Sequence, residues 1–186
     1  MFKKIILGLG VVFLMTTHAA RAELVSNGGF ESGSFSSWTQ FGNTTFDGVS
    51  GGAVAHSGTS GGFFGSIGGT SGIYQALTTV AGSIYQYSFW LDADGGTPSS
   101  FSATADGMSL VSQVNPGNGP YTLYSGIFTA LDASTELRFA FRNVPGFFHF
   151  DDVSVNAVNA VPEPGSLVLL GLGLAAIAVA RRRKSA

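Results

Sequence analysis

The stretch S-I-Y-Q-Y-S-F-W-L-D, residues 83–92, decides how the chain is read. Tyr85, Tyr87, Phe89 and Leu91 fall on one side of an extended chain. Gln86, Ser88, Trp90 and Asp92 fall on the other. Side chains alternate across a β-strand, so a run of this kind predicts a strand with one buried and one exposed face. T-E-L-R-F-A-F-R-N (135–143) repeats the pattern, with Leu137, Phe139 and Phe141 opposite Glu136, Arg138, Ala140 and Arg142. F-F-H-F-D-D-V-S-V (147–155) reads similarly and is expected to carry Asp151 on the face of Val153 and Val155. Further strands are predicted within 38–46, 72–80, 100–105, 108–114 and 121–131. Turn signals separate them, and Asp106-Gly107 is a two-residue hairpin loop. No amphipathic helix interrupts the series. The expected fold is an all-β antiparallel sandwich or barrel.

Composition narrows the class of protein. Residues 23–161 are rich in Gly, Ser, Thr and Phe, and the chain has no cysteine. The domain is therefore held by its own core or by an ion, and thiolate metal sites are excluded. In this body two arginines, Arg138 and Arg142, stand against ten acids, a formal charge of −8. Such a surface lacks the basic footprint that nucleic-acid binding needs.

The two ends differ from the body. Lys3 and Lys4, the apolar run Ile5–Met15 and Ala20-Arg21-Ala22 form a signal peptide over residues 1–22. At the other end Pro162-Glu163-Pro164 closes a linker (158–164), ahead of an uncharged apolar helix (165–180) and a basic tail (181–186). The fifteen uncharged residues 166–180 reach about 22 Å as helix, short of a roughly 30 Å hydrocarbon core. Only with Pro164, Gly165 and snorkelling arginines does the segment just span, as a marginal anchor. Arg181, Arg182, Arg183 and Lys184 would stay cytoplasmic, leaving the body outside.

Two resemblances follow from these motifs. The proline–glutamate–proline triplet, short apolar span and arginine cluster resemble the PEP-CTERM sorting signal. That resemblance implies an exosortase, a membrane-embedded cysteine protease, as partner. It also implies transient anchoring in the inner membrane, delivery to the cell envelope or extracellular space, and a link to exopolysaccharide and biofilm. L-V-S-N-G-G-F-E-S-G-S-F-S-S-W (24–38), with the closing F-F-H-F-D-D-V-S-V, resembles jelly-roll domains of the carbohydrate-binding-module type (CBM4/9). It implies a jelly-roll β-sandwich over residues 23–157 whose first and last segments lie together. Glu31, Asp151 and Asp152 would then be neighbours, and a structural Ca²⁺ with oxygen ligands would relieve their repulsion. Sugar binding is the second implication, with Trp90 as a stacking platform beside Gln86, and with Tyr124, Arg138 and Arg142 lining the same face.

Catalytic signatures are lacking. His56 and His149 are the body's two histidines, and no nucleophile elbow, zinc-binding pair or phosphate loop occurs. The expected protein is an exported, non-enzymatic structural or adhesive module. The alternative is a dedicated carbohydrate-binding module with a defined glycan ligand.

Overall fold

The computed structural model describes residues 22–158. The signal peptide, the sorting triplet Pro162-Glu163-Pro164, the apolar helix and Arg181–Arg183 lie outside the described residues. No helix among the described residues is long and apolar enough to cross a membrane.

Among the described residues, ten strands make two five-stranded antiparallel sheets, with one short 3-10 turn at Gly52–Val54. In chain order the strands are β1 (Thr39–Gly42), β2 (Asp47–Ser50), β3 (Gly61–Phe64), β4 (Ser71–Thr78) and β5 (Ile84–Ala93). They continue as β6 (Ser99–Ala105), β7 (Met108–Val114), β8 (Thr122–Thr129), β9 (Ser134–Asn143) and β10 (Phe148–Ala157). One sheet has the order β1-β4-β9-β6-β7 and the other β2-β3-β10-β5-β8. Sequence neighbours thus repeatedly belong to opposite sheets, as a jelly-roll sandwich requires.

The alternation in residues 83–92 is realised directly. Tyr85, Tyr87, Phe89 and Leu91 are buried, and β9 contributes Leu137, Phe139 and Phe141 from the facing sheet. Phe64 stacks on Phe141 with ring centroids 3.9 Å apart, and Phe150 contacts Phe89, Phe139 and Phe141 at 4.7–5.4 Å. Aromatic rings supply much area per residue, and such pairs add to plain burial. The core therefore needs neither a disulfide nor a helix. Asp106 and Gly107 have φ of 47° and 78°, the geometry of a type I′ turn, and join β6 to β7 as expected.

One expectation is corrected. Asp151 pairs with Trp90 and His149 with Asp92, so both point away from the core, on the Trp90 side of the sheet. The register then shifts before Ser154 pairs with Ser88. Asp152, at φ 53°, is the extra residue of a β-bulge. It lets Phe148 and Phe150 before it, and Val153 and Val155 after it, all face inward. Asp151 therefore does not share the face of Val153 and Val155. Two strands, β2 and β3, were not foreseen, because G-G-F-F (61–64) and D-G-V-S (47–50) are too short and glycine-rich to show alternation.

The opening motif is a folded loop that seats against this bulge. Val153 N–H donates to Gly28 O at 3.0 Å, and a Cβ on Gly28 would lie 2.0 Å from Val153 O. Phe30 is fully buried, and Trp38 sits in the core with its Nε1 donating to Asn27 O at 3.1 Å. Phe150 joins this loop's aromatics to both sheets, with Phe30 at 6.2 Å. Replacing Phe150 by Ala should cost about 3–5 kcal/mol. Chemical denaturation should read this as a fall in midpoint, and an unchanged midpoint would contradict the packing.

Candidate functional site

The two outer faces of the sandwich are built differently. On the β2-β3-β10-β5-β8 sheet, the segment 51–60 is pinned over the middle of the face. Glu31 accepts hydrogen bonds from Thr59 N–H (2.9 Å), Thr59 Oγ1 (2.7 Å) and Ser60 N–H (2.9 Å). Asp151, 0 % exposed, accepts from His56 N–H (2.8 Å), Ser57 N–H (3.2 Å) and Asp152 N–H (2.8 Å). Asp152 takes the Ser57 hydroxyl and lies 2.7 Å from His56 Nδ1. Tyr121 closes the end of this clasp by donating to Val54 O at 2.6 Å. Burial, and then the charges of Asp151, Asp92 and Asp152, push the Tyr121 phenol well above its usual range, so it remains a donor.

The three acids expected to hold calcium do come together. A Cβ on Gly29 would lie 3.7–3.9 Å from atoms of Asp152, Asp151 and Glu31. Their oxygens, however, are engaged by the donors of segment 56–60, apart from Asp151 Oδ1, which accepts from Asp152 N–H. Among the described residues no group of three acidic or histidine side chains is placed to hold a metal ion. As arranged, the carboxylates clasp this loop.

Trp90 lies beneath the clasp. The His56 ring stacks on it at 3.9 Å and 17°, and Tyr121 meets His56 edge-on at 5.1 Å. The indole face expected to receive a sugar is thus already covered on that side. Gln86 shares the outer face of β5 with it. Tyr124 does not: it pairs with Phe89, stacks on that ring at 5.5 Å on the core side, and edges a shallow pocket with Leu91, Pro116 and Pro120. Arg138 and Arg142 belong to β9, in the opposite sheet. The residues proposed from sequence as one sugar platform are therefore spread over three surfaces.

The outer face of the β1-β4-β9-β6-β7 sheet assembles a different platform. The Arg138 guanidinium lies 4.3 Å from the Phe41 ring centroid and 4.6 Å from that of Tyr74. Its Nε donates to Glu136 Oε1 at 2.7 Å. The cross-strand register explains the grouping, since Tyr74 pairs with Arg138 and Phe41 with Gly72. A Cβ on Gly72 would lie 2.9 Å from the Phe41 ring, so the missing side chain makes room for that ring over the sheet. Beyond the rings, Ala140 and Arg142 face Ser102 and Ser100, and Ser112 continues the row. The result is aromatic faces at one end and a floor of small hydroxyl residues at the other. Arg142 Nε is shielded from solvent without a hydrogen-bond partner among the described residues. Phe41 and Tyr74 were not singled out from sequence. The available signal was that the body's two cations share one face of one strand.

The clasp makes a pH prediction. Hydrogen bonds from the Thr59 hydroxyl and from the Thr59 and Ser60 backbone hold the Glu31 carboxyl below its usual value. A lowered folded-state pKa stabilises above the unfolded value, about 4.3, and that contribution is lost as pH falls through the folded value. Glu31→Gln should therefore lower the melting midpoint at neutral pH, with the gap to wild type narrowing below about pH 4. Melting curves across that range check it, and a pH-independent gap would contradict the charged clasp. Asp151 acts in the opposite sense, because burial, the largest influence, raises its pKa.

Comparisons with known proteins bear on both parts of the chain. Residues 160–184 match the family described as PEP-CTERM protein-sorting motif. No curated protein matches the chain. Several solved structures share the fold. TmCBM61, solved in complex with β-1,4-galactotriose, is 17 % identical with a TM-score of 0.56, covering 72 % of this chain and 97 % of that one. The CBM22-1 xylan-binding domain of Paenibacillus barcinonensis Xyn10C is 17 % identical with a TM-score of 0.55, covering 78 % and 100 %. An α-L-arabinofuranosidase, MgGH51, also matches at 14 % identity and a TM-score of 0.55, but this chain covers only 26 % of it. These likenesses show the fold, and the modules found are of the CBM61 and CBM22 types. The chain thus carries the PEP-CTERM sorting motif at residues 160–184, behind a jelly-roll domain folded like carbohydrate-binding modules.

Proposed function

We propose that this is an exported, non-catalytic protein, processed by an exosortase at the inner membrane, whose jelly-roll domain holds polysaccharide at the cell envelope or in the extracellular matrix. The sorting motif supports export and processing. The observation that carries the glycan part is the Phe41–Arg138–Tyr74 stack beside a floor of serines. The guanidinium plane stacked on the two rings, with the ring edges around it, suits the apolar face of a pyranose, while Arg142, Glu136 and the serine hydroxyls suit sugar hydroxyls. The stack also fixes the Arg138 fork in place, so little side-chain entropy is lost on binding. A structural or adhesive role in biofilm is our extension of the same reading. A dedicated module for one defined glycan uses the same surface with a narrower ligand range.

Affinity electrophoresis against a panel of soluble polysaccharides tests the site. Tyr74→Ala should weaken binding at least tenfold, about 1.4 kcal/mol, whereas Trp90→Ala should leave it unchanged. Binding lost with Trp90 and kept without Tyr74 would move the site to the opposite sheet. Processing is tested by intact mass spectrometry of the mature protein from its native host. A mass near that of residues 23–161 is expected, and a C-terminus retaining Lys184-Ser185-Ala186 would overturn it.

Structural calcium at Glu31, Asp151 and Asp152 is a separate proposal, supported by the convergence of three carboxylates around Gly29. It requires donors of segment 56–60 to turn away from them. Melting with and without chelator at neutral pH decides it: a lower midpoint with chelator is expected, and an unchanged midpoint rules the ion out.

A further inference from the structure

The four outermost strands are not alike. On one side of the sandwich the edges are β1 and β2, of four residues each. On the other they are β7 and β8, of seven and eight residues. Proteins usually guard long edges with charges, prolines or bulges, because unpaired backbone groups template further strands. Here residues 107–131, which include both long edges, hold no charged residue in a body of formal charge −8. A register shift between β6 and β7 disturbs that edge. The β8 edge has no such guard: its pairing with β5 runs without a break from Ile84–Thr129 to Leu91–Thr122.

Backbone parity shows what β8 offers. Ala130 N–H donates to Ser83 O at 3.0 Å, so it points towards β5. Alternate residues of an antiparallel strand point the same way, so Phe128, Gly126, Tyr124 and Thr122 also turn to β5. Leu123, Ser125 and Ile127 then direct their N–H and C=O groups to the open side, where no strand among the described residues pairs. The same residues carry their side chains on the outer face, opposite Trp90, Ser88 and Gln86. Leu123 is 49 % exposed and Ile127 65 %.

We propose that the β8 edge is a self-association surface, on which a second copy of this chain adds its own β8 antiparallel about a two-fold axis at Ser125. This is the register in which each strand's outward hydrogen-bonding groups meet and the two apolar side chains match. Leu123 of one copy faces Ile127 of the other, twice, and Ser125 faces Ser125. A shift by two residues breaks that match, and a shift by one presents inward-turned backbone groups. With no charge on the strand, two acidic domains meet where neither carries like charge. The pairing joins two five-stranded sheets into one of ten strands. It leaves the Phe41–Arg138–Tyr74 face, on the other sheet, free in both copies.

The chain has no cysteine, so the register can be read with introduced thiols. In this pairing the two Ser125 Cα atoms stand about 5.5 Å apart, within the roughly 4.4–6.8 Å that a disulfide spans. Full-length Ser125→Cys, exported and exposed to a mild oxidant, should form a covalent dimer. Leu123→Cys mixed with Ile127→Cys should form the mixed dimer, while Leu123→Cys alone should not, since its two copies lie about 13 Å apart along the strand. Ser112→Cys on β7 is the control for random collision. Failure of Ser125→Cys to cross-link, or cross-linking no faster than Ser112→Cys, would overturn the proposal. Preferential Leu123–Leu123 cross-linking would overturn the register and with it the two-fold pairing.

Discussion

The bulge at Asp152 is the constraint on which much of the domain depends. β10 lies between β3 and β5, and its inward positions must be apolar on both halves. Phe148 and Phe150 hold even positions and Val153 and Val155 odd ones, so a strict two-residue alternation cannot serve both. Inserting one left-handed residue resolves the conflict. It also leaves Asp151 facing outward beneath segment 56–60, where the backbone N–H groups of His56, Ser57 and Asp152 donate to its buried carboxylate. The opening loop docks immediately beside the bulge through Gly28 and Val153.

From that arrangement the two outer faces acquire opposite characters. The sheet containing β10 carries Asp151 and Asp152, with Glu31 beside it, and uses them to fasten a loop whose His56 ring stacks on Trp90. The other sheet collects Arg138 and Arg142, both cations of the exported body, with the Phe41 and Tyr74 rings around the first. Acids used to clamp a chain segment cover the part of that face around Trp90. On the other face the aromatic rings hold one of the two cations in place beside a row of serines.

How much of this was legible in sequence varied with the range of the interaction. The long strands were readable because Tyr85 to Leu91, or Leu137 to Phe141, repeat their pattern over enough residues to outweigh propensity noise. Asp106-Gly107 was readable because a type I′ turn is a local preference of two residues. β2 and β3 were invisible because four residues with two or fewer large apolar side chains carry no period. The grouping of Trp90 with Tyr124 and Arg138 failed for a related reason. Each lies on an alternating strand, but alternation does not say to which sheet the strand belongs. Tyr124 and Trp90 occupy neighbouring strands at opposite parity, and Arg138 sits across the core from both.

The sequence by itself determined an all-β domain with a phenylalanine core, an acidic body and a sorting signal at the C-terminal end. Those properties reside in composition, short-range periodicity and a contiguous motif, none of which needs distant residues to be placed. Tertiary structure alone decided that Asp151 turns outward, that His56 covers Trp90 and that Phe41 and Tyr74 flank Arg138. Each of those depends on strand order and on a one-residue register shift. Pairing partners far apart in the chain set both, so the local pattern of any single strand does not contain them.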